Sequence, residues 1–388
     1  MSQFHRDQIY TPEHRLIDLI PDNLDTSDEE DAFYNQDDED YFIHPKWKAV
    51  IRQTTNRIPK RIQRYSVLYL FLLLVAWVAW KAHFGPQYAQ YRKDQIEMDT
   101  PPKGAFGSNM RPHFKDMIHL KTLDEKHLPK HNKRLVVVGD VHGCKQELEE
   151  LLRKVEFNDK NDHLILAGDI IAKGPDSPGV VALAQKLGAS CVRGNHEDKV
   201  LLSIAAESSE HHKIVPESDE NPEGIPDNVE VESSHSDKNL RKLVKQFSKA
   251  QINWLQQCPV ILQVGKVPHI GEVVVVHAGL VPGIALEQQD PFQCMNMRTI
   301  DLKTRLPSEG RDHTHWEKFW NHQQKKLAKH ERTTVIYGHD AKRGLNVQKH
   351  SFGLDSNCVR GGQLTAMVID ASGNSKIVQV DCKTNYTA

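Results

Sequence analysis

The chain predicts an α/β fold in which two β-sheets pack face to face as a sandwich flanked by helices, preceded by one transmembrane helix. Three observations predict it. Five short segments, Gly-Asp-Val-His-Gly (139–143), Gly-Asp-Ile-Ile-Ala-Lys-Gly (168–174), Gly-Asn-His-Glu (194–197), Val-His-Ala-Gly (276–279) and Gly-His-Asp (338–340), each follow a short apolar run. Asp140, Asp169 and Asn195 lie 29 and then 26 residues apart, about one strand–helix–strand unit each. The later half is strand-rich, and one long uncharged run precedes the whole pattern.

With 388 residues, 38% apolar and 26% charged, the chain can fold one large domain plus attachments. Residues 1–45 carry thirteen acids against Arg6 and Arg15, and read as a disordered, solvated tail in which acid-flanked Ser27 is a candidate phosphorylation site. Residues 46–64 then carry seven bases and no acid. Residues 65–80 are uncharged, Lys81 can snorkel, and the segment extends to Phe84, which makes 65–84 a membrane anchor. Trp77 and Trp80 suit its interfacial end. Too many residues precede it for a cleaved signal peptide. The basic flank places the N-terminus in the cytosol and everything after residue 84 across the membrane. All six cysteines lie on that far side, as does the one glycosylation sequon, at Asn385. An even cysteine count permits disulfides in an oxidising lumen, but spacing selects no pairs, and buried thiols are an equal alternative.

Residues 85–132, with Pro86, Pro101, Pro102 and Pro112, read as a stem, and 133–385 as the folded domain. An apolar run at 135–138, Leu135 followed by three β-branched valines, reads as a strand buried on both faces. Leu148, Leu151, Leu152 and Val155 give a helix over 144–155; 164–167 is a second strand, 180–187 a helix and 191–192 a third strand. Residues 207–238 are acidic and nearly devoid of apolar content, a disordered insert whose His211, His212 and His235 are solvated. Helical spacing resumes at Leu240, Leu243, Val244 and Phe247. Strands at 260–264, 273–276, 333–337, 364–369 and 377–380 and a helix at 316–325 complete the domain.

The chemistry sits where strands end. Asp140, His142, Asp169, Asn195, His277 and His339 form a ligand set for two adjacent divalent cations, with Asp169 the natural bridging carboxylate. Two metals about 3.5–4 Å apart clamp the attacking and leaving oxygens of an in-line displacement at phosphorus. Oxygen and imidazole donors without thiolate suit Zn²⁺, Mn²⁺, Fe or Co²⁺, and Ca²⁺ less well.

The five motifs resemble those of the calcineurin-like metallophosphoesterases, in the branch of the serine/threonine phosphoprotein phosphatases and diadenosine tetraphosphatases, over residues 133–381. The resemblance implies that Asp140, His142 and Asp169 hold one metal, and Asp169, Asn195, His277 and His339 the other, with Zn²⁺ the first expectation and Mn²⁺ or Co²⁺ next. It implies that His196 is the general acid and that Arg193 and Lys173, with Arg298 as a third, grip phosphate. Residues 353–366 resemble the family's closing strands. The second motif departs from the phosphoprotein phosphatases, which read Asp-Arg where this chain has Ala172-Lys173. Ala172 removes the carboxylate that would orient His196, and Lys173 replaces a bidentate guanidinium with a point charge. A serine alkoxide needs a well-supported acid to leave. A terminal phosphate, with a second pKa of about 6, leaves more readily.

Anchor, luminal domain and Ala-Lys-Gly motif together resemble the vacuolar endopolyphosphatases of fungi. That resemblance implies inorganic polyphosphate as substrate, a type II vacuolar membrane location, and sorting machinery acting on the acidic tail. Lys342 and Arg343, beside His339, would then hold flanking phosphates. A phosphoprotein phosphatase or a dinucleoside polyphosphate hydrolase would use the same site and stays open as the alternative. No basic, aromatic-interleaved face points to nucleic acid.

Overall fold

The computed structural model describes residues 59–101, 117–209 and 240–387, together with Trp47 and Val50. The acidic tail with Ser27, most of the basic segment, and most of the insert with His211, His212 and His235 lie outside the described residues. The chain divides into two compact units, residues 1–88 and 89–388.

In the first unit α1 (Lys60–Ala79) passes through a π-helical stretch at 80–84 into the start of α2 (Gly85–Asp99), whose residues from 89 on belong to the second unit. The uncharged run favours helix throughout, and its large apolar side chains are exposed. By length and composition it is long and apolar enough to cross a membrane. The sequence places the end of this helix at Gly85-Pro86, yet the helix continues. Pro86 has no N–H to donate, and the widened turn, in which the Gly85 N–H reaches back to Trp80 O, carries the helix past it.

The second unit is a sandwich. One sheet runs β13 (Asp355–Ser356), β14 (Gln363–Ile369), β2 (Arg134–Val138), β3 (Asp162–Leu166), β4 (Ser190–Cys191), with β15 (Ser375–Asp381) also paired to β14. The other runs β1 (Leu120–Thr122), β5 (Ile261–Val267), β6 (Gly271–Val276), β10 (Thr333–Tyr337), β12 (Ser351–Gly353), β11 (Asn346–Val347). A small third sheet joins β8 (Pro307–Ser308), β7 (Thr299–Ile300) and β9 (Thr314–His315). β2, β3 and β4 are parallel, as are β6, β10 and β12.

The period-2 alternation of strands explains the layers. Leu135 and Val137 of β2 point between the sheets, against Val264, Val273, Val275 and Ile336. Val136 and Val138 point outward, onto Leu148 and Leu151 of α3 (Lys145–Lys154) and Val180 of α4 (Ser177–Lys186). Each such leucine, fully buried, contributes about 1.5–3 kcal/mol. On the other outer face Val274, Val276 and Val335 pack with Trp316 and Phe319. The expected two-sheet α/β sandwich with outer helices is therefore the observed fold.

Two features extend it. Cys191–Cys258 and Cys358–Cys382 are disulfides, while Cys144 and Cys294 are buried thiols, so both sequence alternatives are realised in one molecule. The folded unit also draws in parts of the expected stem. β1 pairs with β5, Met98 is buried in the core, and the Arg305 guanidinium donates to the carbonyls of Glu97, Met98 and Thr100 at 2.8–3.2 Å.

Candidate metal centre

The two sheets present the C-terminal ends of their parallel strands at a common edge, the place where open α/β sheets bind ligands. Asp140 and His142 follow β2, Asp169 follows β3, and Asn195 and His196 open α5 (Asn195–Ser209) just after β4. His277 follows β6 and His339 follows β10, from the other sheet. His142, Asp169 and His339 adopt positive φ, at 47°, 45° and 71°. That strain in non-glycine residues is of a kind stored at functional sites. Gly168 lies close against a candidate ligand: a Cβ there would come 2.6 Å from His277 Nδ1.

Asp169 is the hinge of the arrangement. Its Oδ1 lies 3.3 Å from His277 Nε2 and accepts the His196 backbone N–H at 3.1 Å. Its Oδ2 lies 3.5 Å from His142 Nε2 and 3.9 Å from His196 Nε2. Two groups result, His142–Asp169–His196 and Asp169–His277–His339, with ligand atoms within 4.8 Å of one another in each. Asn195 Oδ1 is 3.1 Å from His277 Nε2. Asp140 stands beside the first group, 4.0 Å from His142 Nε2, and its carboxylate accepts the His339 N–H.

Partners behind the histidines orient them. His142 Nδ1 is 3.2 Å from the Ile171 carbonyl, His277 Nδ1 is 3.0 Å from the Ala167 carbonyl, and His339 Nε2 is 3.0 Å from the Asn296 carbonyl. With each carbonyl accepting the N–H of its ring, the neutral ring offers its other nitrogen as a lone pair, as metal-binding histidines require; His277 does so only once it gives up its second proton.

The charges agree. Burial alone would raise the Asp169 carboxyl, but His277, His196 and His142 hold it well below the carboxylate range. Burial opposes charge on His277, yet Asp169 drives it up to about 10. Burial lowers His142 to about 3 and His196 to about 4, so both stay neutral donors of a lone pair. Burial, reinforced by Asp355, raises Asp140. A cluster of acids and neutral imidazoles that draws a proton onto its deepest histidine is built for positive charge, and the donor set fits divalent cations.

A cavity of about 350 Å³ opens over these groups, with Lys173, Arg298 and Lys342 on its wall. The Lys173 ammonium is 3.0 Å from His142 Nε2. Two expected phosphate ligands lie elsewhere. Arg193 is only 3% exposed and does not line the cavity; its Nη2 pairs with Asp198 at 2.9 Å. Arg343 is drawn off by the buried Glu317 at 2.6 Å and is likewise absent from the wall. In both cases a nearby carboxylate, half-buried Asp198 or buried Glu317, captures the guanidinium. Asn385 is exposed, its Oδ1 accepting from the N–H and hydroxyl of Thr387.

Sequence reasoning missed three contributors. Glu197, 0% exposed, accepts the backbone N–H groups of Asp169, Ile170, Ile171 and Gly194 at 2.8–3.1 Å. Its place inside Gly-Asn-His-Glu was the available signal. Asp355 is buried beside Asp140. Arg311, held by the Asp340 carboxylate of the last motif, lines the cavity.

The family model described as calcineurin-like phosphoesterase matches residues 133–367. The zinc-dependent endopolyphosphatase of Saccharomyces cerevisiae is 29% identical over 284 residues, 66% of this chain and 83% of that protein. The symmetrical bis(5'-nucleosyl)-tetraphosphatase of Erwinia tasmaniensis is 33% identical over 149 residues, 38% of this chain and 44% of its own. A solved structure described as a putative diadenosine tetraphosphatase superposes with a TM-score of 0.52 at 31% identity, covering 69% of this chain and 99% of that one.

Proposed function

The chain belongs to the calcineurin-like phosphoesterases, metal-dependent phosphoesterase hydrolases, and within that family we propose an endopolyphosphatase that cleaves phosphoanhydride bonds of inorganic polyphosphate. The observation that carries the proposal is the Asp169 carboxylate, which turns one oxygen to His277 and the other to His142 and His196. Asp140, His142 and Asp169 would hold one divalent cation, and Asp169, Asn195, His277 and His339 the other. When bound, such a pair would supply Lewis acidity and a water of lowered pKa as nucleophile. Zn²⁺ is the metal proposed, in keeping with the name of the yeast relative.

The remaining steps belong to the protein. Lys173 and Arg298 would neutralise the non-bridging oxygens of the substrate. His196 would give a hydrogen bond or proton to the departing phosphate. The second motif lacks an acid beside His196, and a terminal phosphate tolerates that loss better than a serine alkoxide does. The yeast relative's substrate and the cationic wall support polyphosphate. The tetraphosphatase relatives keep a dinucleoside polyphosphate as the second reading.

The apolar helix supports a membrane anchor; with the basic flank before it, the reading extends to a type II vacuolar membrane protein with its domain in the lumen, glycosylated at Asn385. Sorting machinery would act on the cytosolic acidic tail.

Incubation of the metal-stripped protein with long-chain polyphosphate and Zn²⁺, Mn²⁺, Co²⁺ or Mg²⁺, with products sized on a gel, tests the activity. Rapid shortening to intermediate lengths is expected. Intact chains alongside cleaved dinucleoside tetraphosphate would replace the substrate with the second reading.

A further inference from the structure

We infer that Arg360, on the loop at 357–362, forms with Lys342 a binding subsite for phosphate groups flanking the scissile bond, and that the Cys358–Cys382 disulfide positions it. The inference rests on the polyanionic substrate proposed above and adds a residue, a loop and a covalent tether to that reading. Both side chains line the cavity over the metal-ligand groups.

What sets them apart is the use made of each cation. Arg311 is engaged by Asp340, Arg343 by Glu317, and Arg298 donates to the Glu309 carbonyl at 3.1 Å. Arg360 and Lys342 are exposed and form no side-chain hydrogen bond or ion pair with the described residues. Folding therefore makes no use of their charges. Two unengaged cations on the wall of one cavity suit an anion that repeats, because each can meet a different phosphate.

The backbone beneath Arg360 is over-determined. The turn closes through Arg360 N–H to Asn357 O at 3.2 Å, Gly361 N–H to Cys358 O at 2.8 Å and Gly362 N–H to Asn357 O at 2.9 Å. Asn357 and Gly361 both adopt positive φ, at 65° and 84°. Cys358 and Val359 are buried. The C-terminal segment ties the loop down from outside, through Cys358–Cys382, Cys382 N–H to Gly362 O at 2.8 Å and Tyr386 N–H to Val359 O at 2.9 Å. A β-bridge between Arg360 and Asn385 completes the clamp. A fixed backbone carrying an uncommitted guanidinium lowers the ordering cost of binding.

A small phosphomonoester reaches only the floor of the cavity, whereas a chain must also pass its wall. Binding and cleavage therefore separate the claims. Long-chain polyphosphate binding is measured on the chelator-treated full-length protein, and steady-state kinetics on the metal-loaded form with long chains and with p-nitrophenyl phosphate.

Arg360→Ala is expected to weaken long-chain binding five- to tenfold, raise KM for long chains similarly, and leave kcat and the monoester KM within twofold. Lys342→Ala behaves likewise. Cys358→Ser with Cys382→Ser is expected to raise the long-chain KM in the wild-type background but add little to Arg360→Ala, a coupling that a purely structural disulfide does not produce. Unchanged long-chain binding in Arg360→Ala overturns the subsite, as does an equal loss on both substrates. Failure of the wild type to cleave chains it binds overturns the endopolyphosphatase reading and leaves the subsite standing on its binding data.

Discussion

Glu197 holds the backbone of Asp169 in place: one carboxylate oxygen accepts the Asp169 N–H at 2.8 Å, while the Asp169 side chain reaches both histidine groups. The other Glu197 oxygen accepts the N–H groups of Ile170 and Ile171, and Gly194 completes the four. The carboxylate thus stitches the turn after β3 to the turn after β4, and it does so wholly buried.

Glu197→Gln tests that stitch. A glutamine has one acceptor oxygen, so in either orientation its amide N–H₂ faces backbone donors. Each N–H left unsatisfied costs about 1–3 kcal/mol, and supporting residues of this kind govern metal affinity by about 10–100-fold. The variant is expected to melt lower and to need roughly 10–100 times more Zn²⁺ for half-maximal activity. Wild-type metal demand in a properly folded Gln variant would show that the turn needs no carboxylate.

Asp169→Asn addresses the proposed shared ligand itself. The amide keeps the shape but removes the charge that opposes burial and sustains His277 near a pKa of about 10. If one carboxylate serves both cation positions, bound metal measured by elemental analysis should fall at both together, and activity should drop at least about 1,000-fold, on the order of 4 kcal/mol. Loss of a single metal with the other retained would place the bridge elsewhere.

Arg193 and Asp198 decide a different question, whether a buried guanidinium serves the substrate or the fold. Arg193 Nη2 and Asp198 Oδ1 are 2.9 Å apart with both side chains largely buried. Removing one partner of a buried pair leaves an uncompensated charge, typically a loss of about 3–5 kcal/mol. Asp198→Ala should therefore lower thermal stability strongly, and Arg193→Met with Asp198→Leu should recover much of the loss. The double variant should retain a near wild-type KM for polyphosphate. A KM raised tenfold or more in a stable double variant would return Arg193 to phosphate binding.

These cases mark what the sequence could and could not carry. The clustering of the candidate ligands was legible because each follows a strand end, and strand ends converge by topology whatever the details of packing. The β2 valines were legible because a continuous β-branched run has only one comfortable home, between two apolar layers. The direction of a guanidinium is another matter. Arg343 sits three residues past a ligand motif, but the Glu317 that captures it lies 26 residues away on α8 (Trp316–Lys326), and no local pattern joins them. Disulfide partners 67 and 24 residues apart are equally invisible to spacing. Glu197 was visible as a letter in a motif, but an acid in the first turn of a helix has an ordinary explanation in the helix dipole.

Acid is the condition of the compartment proposed for this domain. His163 is 5% exposed, shares a hydrogen bond of 2.8 Å with Ser190 Oγ, and stacks on His127 with ring centroids 3.7 Å apart. Burial, aided by His127, lowers His163 from 6.5 to about 4. The folded chain therefore refuses a proton that the unfolded chain accepts between about pH 6.5 and 4. Stability is full above 6.5 and falls as pH drops through that window, by about 1.4 kcal/mol for each unit of pKa difference. His163→Phe keeps the stacked ring and removes the titration. The gap in melting temperature between the variant and the wild type should move in the variant's favour from pH 7 to pH 4.5, since the histidines remote from the stacked pair titrate in both proteins and cancel. A gap that stays constant across that range would mean that His163 takes its proton without opening the fold.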